Sequence, residues 1–72
     1  MILSTKSTYN IYEVIDRTDT ARPVTYSFNS IKGAARWIKE LLTVFDCSAD
    51  FITGYERTYN EYGDLISSDN FF

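Results

Sequence analysis

Between residues 31 and 45 the apolar positions Ile31, Ala34, Ala35, Ile38, Leu41, Leu42 and Phe45 recur at intervals of three and four. That spacing lays a continuous stripe along one side of an α-helix. Asn29 or Ser30, just ahead of the stripe, can cap the first turn by accepting from amide groups that have no partner inside the helix. Gly33 weakens that turn by about 1 kcal/mol relative to alanine and leaves room for a strand to approach. The turn-forming run Asp46, Cys47, Ser48, Ala49 and Asp50 stops the helix near Phe45. The expected buried set is Ile31, Ala35, Ile38, Leu42 and Phe45.

Elsewhere the period is two. Residues 9–17 contain Ile11, Tyr12, Val14 and Ile15, and residues 24–28 alternate Val24, Tyr26 and Phe28 with Thr25 and Ser27. β-Branched and aromatic residues suit a pleated, half-buried surface. A loop ending in Pro23 separates the two runs, and proline can open a strand but not sit inside a central one. After the helix, residues 51–59 and 65–72 flank Asn60, Glu61, Tyr62 and Gly63. Asn at the first position and Gly at the fourth suit a type I turn followed by a left-handed residue and a bulge. The prediction is a single α+β domain over residues 1–72, in ββαββ order, with one helix on a mainly antiparallel four-stranded sheet. One sheet face is then left uncovered. Both faces carry large apolar groups, because Phe51, Tyr55 and Tyr59 oppose Ile52, while Ile11 and Ile15 oppose Tyr12 and Val14.

Length sharpens the problem this poses. A chain of 72 residues buries a small core, and domains of this size commonly lean on disulfides, metals or oligomerisation. One cysteine and no histidine exclude an intrachain disulfide and a zinc site. What remains is a core rich in aromatics, drawn from five Phe, six Tyr and one Trp, or self-association. The unpaired Cys47 and the lack of a signal-like leader fit a reducing cytoplasm. No apolar run approaches the roughly 20 residues a membrane helix needs.

Catalytic chemistry finds little support. Histidine, the commonest general base near neutral pH, is absent. Asp46, Ser48 and Asp50 have the opening spacing of a calcium loop, but the glycine and bidentate glutamate it also requires are replaced by Phe51 and Arg57. Cys47 has no histidine to activate it and reads as a loop thiol. Neither Glu13 with Asp16 nor Glu56 with Asp64 is marked out as an acid–base pair. The three glycines, Gly33, Gly54 and Gly63, form no phosphate loop. No enzyme activity, cofactor or metal is expected.

Charge is distributed unevenly. Residues 1–22 are neutral, residues 23–45 carry net +2 and residues 46–72 carry net −5. Lys32, Arg36 and Lys39 fall on one side of the helix and can grip a phosphate backbone. A solvated helix face has the same pattern, and the acidic C-terminal third weighs against nucleic acid. Trp37 sits on the shoulder of the helix, either folded over the sheet edge or forming an exposed strip with Leu41 and Val44. The surplus tyrosines favour an interface, since Tyr gives large contact area at low entropy cost. The expected partner-binding residues are Trp37, Tyr55, Glu56, Tyr59, Glu61, Tyr62, Asp64 and Asp69.

In its small size, acidity, tyrosine content and lack of catalytic groups, the chain resembles the small phage and mobile-element proteins that bind and block host enzymes. That resemblance implies an inhibitor, or partial DNA mimic, whose acidic hairpin faces the basic groove of a nucleic-acid enzyme. The alternatives are a nucleic-acid-binding module using Lys32, Arg36 and Lys39, and a structural homodimer.

Overall fold

The computed structural model describes residues 7–72. Strand β1 (Thr8–Asp16) and strand β2 (Val24–Phe28) are followed by helix α1 (Ile31–Thr43), strand β3 (Ile52–Asn60) and strand β4 (Leu65–Asn70). Every strand pair is antiparallel, and the spatial order is β2-β1-β3-β4. This is the small α+β architecture predicted from the two hydrophobic periods. The nine-residue strands β1 and β3 occupy the centre, where both backbone edges find partners. The shorter β2 and β4 form the edges, and short edge strands limit pairing with other chains.

Ser30 caps the helix, its Oγ accepting from the Gly33 amide at 3.2 Å. A short 3-10 turn, Ala49–Phe51, then leads into β3. The core consists of Val14, Ala34, Ile38, Leu41 and Ile52. Helix α1 meets the sheet at one end only, where Val14 stands opposite both Tyr26 and Gly54.

The buried helix face differs from the expected one. Ile38 is buried as predicted and Leu42 is half-buried, but Ile31, Ala35 and Phe45 are exposed, while Ala34 and Leu41 are buried. At 100° per residue the buried face is rotated by roughly 50° from the centre of the expected set. The cause lies in packing. Trp37 folds down and sets its ring edge-on against Tyr26, with centroids 5.0 Å apart. This draws the helix toward β2. The opposite flank, with Ala35 and Leu42, then borders an open apolar groove of about 360 Å³ whose other wall is Phe71 and Phe72. The helix also ends at Thr43, so Phe45 lies outside it and packs back on Trp37 at 5.7 Å.

Two glycines are fixed by geometry. Gly63 adopts φ +85°, the left-handed position expected of the hairpin turn, and its amide donates to the Asn60 carbonyl at 3.0 Å. The bulge follows, with register shifting between Thr58 and Tyr59. Gly54 has a different role. A Cβ placed there would lie 2.7 Å from Cζ of Phe71, so the Phe71 ring rests on bare backbone and meets Tyr12 edge-on at 6.2 Å.

Candidate protein-binding surfaces

Strand alternation distributes the expected partner-binding residues of the last hairpin over three places. Val14, Gly54 and Ile52 face the helix, and so by period two do Tyr12 and Glu56. Asp69 stands directly opposite Glu56 and shares that face. Tyr55 and Tyr59 point to the opposite face, which no described element covers (termed the uncovered face), while Glu61, Tyr62 and Asp64 form the tip of the β3–β4 hairpin. The acidic hairpin is therefore not one surface. Trp37 is apart from all of these, half-buried against the core, which settles the choice between folded and exposed.

The tip is held by Asn60. Its Oδ1 accepts from the amides of Tyr62 at 2.8 Å and Asp64 at 2.9 Å, and its own amide donates to the Asp64 carbonyl at 2.9 Å. An asparagine side chain bonding to the backbone two residues ahead reproduces a turn by itself. The backbone carrying Tyr62 is thus ordered, yet the side chain is 81% exposed. Nothing within the described chain accounts for a large aromatic in that position.

Behind the tip, on the helix side of the sheet, the Tyr12 hydroxyl donates to Glu56 Oε2 at 2.8 Å. That hydrogen bond, aided by burial and the carboxylate charge, raises Tyr12 above the ordinary phenol value of 10.0. The Thr58 hydroxyl reaches Asn10 Oδ1 at 2.9 Å. This half of the sheet is polar because the helix does not extend over it.

The uncovered face has a defined centre that sequence reading missed. Arg57 Nε lies 3.1 Å from Glu13 Oε1, but no hydrogen bond is directed from that N–H, so the contact is an ion pair without good bonding geometry. The guanidinium also stands 5.1 Å above the Tyr55 ring, within range of a cation–π contact. Tyr9 and Tyr59 stack at 5.4 Å, while Ile11 and Ile15 sit opposite Arg57 and Thr53. The alternation of β1 had placed Ile11 and Ile15 here. Glu13 and Arg57 could be paired only once the β1–β3 register was known.

Lys32, Arg36 and Lys39 remain on the exposed side of α1, away from the tyrosines of the uncovered face. Cys47 is a half-buried free thiol whose Sγ approaches Asp16 Oδ2 at 3.9 Å, and Asp16 is already engaged by the Thr18 amide and hydroxyl. Among the described residues, no three His, Cys, Asp or Glu side chains come together as a metal site. No described helix is long and apolar enough to cross a membrane. Compared with protein-family models, with curated proteins and with solved structures, the chain matches none.

Proposed function

We propose that this chain is a non-enzymatic protein-binding module whose β3–β4 hairpin engages a basic surface on a partner protein. The observation that carries this reading is Tyr62, 81% exposed on a turn that Asn60 orders and flanked by Glu61 and Asp64. An aromatic anchor on pre-ordered backbone loses little entropy on binding. Surrounding carboxylates accelerate encounter with a basic partner and disfavour acidic ones. Glu56 and Asp69 extend the negative charge along the helix side of the same hairpin. A nucleic-acid enzyme offers such a basic groove, and against it the hairpin acts as an inhibitor or partial DNA mimic.

Capture of partners from native host extract by the tagged chain, read by mass spectrometry, tests the proposal. Wild type should retain one nucleic-acid enzyme. Tyr62→Ala should release it faster, and the Glu61→Lys, Asp64→Lys pair should slow its binding. Random oligonucleotides should not bind wild type. Micromolar oligonucleotide binding that Lys32→Glu with Arg36→Glu abolishes would replace this reading with a nucleic-acid module.

A further inference from the structure

A second surface points to a different partner. The uncovered sheet face holds Tyr9, Ile11, Ile15, Tyr55 and Tyr59 around the adjacent charges of Glu13 and Arg57. We infer that this face is covered by a second copy of the same chain, giving a two-fold dimer with the sheets face to face and the helices outside.

Three observations select a second copy over a foreign protein. First, the face is self-complementary in charge. Arg57 is the single cation of the acidic C-terminal third, and it stands beside Glu13 rather than among the carboxylates of the hairpin. A two-fold axis passing between them sets each Glu13 against the second copy's Arg57, and each Arg57 against its Glu13. The contact is isologous and closes after two chains. Arg17, whose Nη1 donates to Thr53 Oγ1 at 2.8 Å opposite Ile15, adds a cation at the margin of this face. The face is therefore not acidic, whereas the rest of the chain is net negative and repels its copy, so this face is where two copies can meet. Second, the Arg57 side chain stays 30% exposed beside Glu13, so the outer edge of its guanidinium is open to a second carboxylate arriving over the face.

Third, the size is appropriate. Four strands about 4.8 Å apart, with side chains presented over some 20–30 Å of β1 and β3, give a footprint of roughly 400–600 Å². Specific interfaces bury about 800 Å² per partner, and weaker ones less. The footprint lies at the small end of the range, the size class of weak, reversible association. With five residues buried in the described core, a domain of this size gains from burying another sheet face. The hairpin tip stays free, so the dimer presents two copies of it, and a failure of this inference leaves the proposal for the hairpin standing.

Charge swapping tests the pairing. In sedimentation equilibrium from 5 to about 200 µM, wild type should move from monomer to dimer. Arg57→Glu and Glu13→Arg should each remain monomeric, because each places like charges across the axis. Mixed one to one, they should dimerise again, since every contact across the axis then sets a carboxylate against a guanidinium. Restoration in the mixture requires both variants to be folded, and circular dichroism checks each alone. Should either variant not fold, wild type suffices: on dilution, NMR shifts should change at Ile11, Ile15 and Tyr55 and stay constant at Tyr62 and Trp37. A wild type that is monomeric throughout, dimerisation of both single variants, or dilution shifts centred on Trp37 would each overturn the inference.

Discussion

The contact between Phe71 and Gly54 should behave as a tightly coupled pair. A methyl group at position 54 would lie 2.7, 2.9 and 3.0 Å from three atoms of the Phe71 ring, well inside ordinary carbon–carbon contact of about 3.5–4.0 Å. The ring must move by roughly 1 Å and give up part of its packing against Tyr12 and the core. Overpacking of this kind costs about 1–3 kcal/mol, so Gly54→Ala should destabilise by that amount. Phe71→Ala should cost about 1.5–2.5 kcal/mol, below the 3–5 typical of a fully buried Phe because the ring is only half-buried. With the ring gone, Gly54→Ala meets no obstacle. It should then stabilise the strand by about 0.5–1 kcal/mol, by restricting the unfolded chain. The double variant is thus expected to be more stable than Phe71→Ala alone. Urea denaturation followed by circular dichroism, for all four members of the cycle, measures the coupling. If the two costs simply add, Phe71 does not rest on Gly54 and the C-terminal end of the core is wrongly described.

Two further outcomes follow from the packing. Leu41→Ala should cost about 2–5 kcal/mol, whereas a polar change such as Ala35→Ser should fall within about 0.5 kcal/mol; thermal denaturation giving the reverse order would restore the helix face expected from the stripe alone. The Tyr12–Glu56 hydrogen bond gives a dependence on alkaline pH. Because Tyr12 is raised in the folded state, its contribution is complete below the ordinary phenol range and is lost as pH rises through the raised value. Denaturation between pH 8 and 11.5 should therefore show wild type converging toward Tyr12→Phe at the alkaline end, and a constant difference between them would contradict the assignment.

Several elements were legible before any coordinates because their signals are local. The three-and-four spacing of residues 31–45, the cap at Ser30, and the Asn60 and Gly63 turn with its bulge depend on neighbours within a few positions. Backbone hydrogen bonding and allowed torsions act at that range. Strand alternation likewise placed Tyr55 and Tyr59 on the face opposite Ile52. That the acidic residues of the last hairpin separate into a tip and a helix-side pair follows from the same period, but it becomes visible only when the turn and bulge fix where each strand ends.

What the tertiary structure alone decided is the choice among surfaces the sequence left equivalent. The helical stripe was wider than the strip of sheet available to cover it, so sequence could not say which part would be buried. The contact of Trp37 with Tyr26, across eleven residues of chain, turned the helix until Ala34 and Leu41 faced inward. Gly54 read as an unremarkable strand glycine until Phe71 closed over it. Glu13 and Arg57 lie 44 positions apart and carry no mutual signal until β1 and β3 pair. Local geometry determines which elements form, whereas which faces meet is set by packing between distant residues, where the volume and reach of each side chain are tested against the space the others leave.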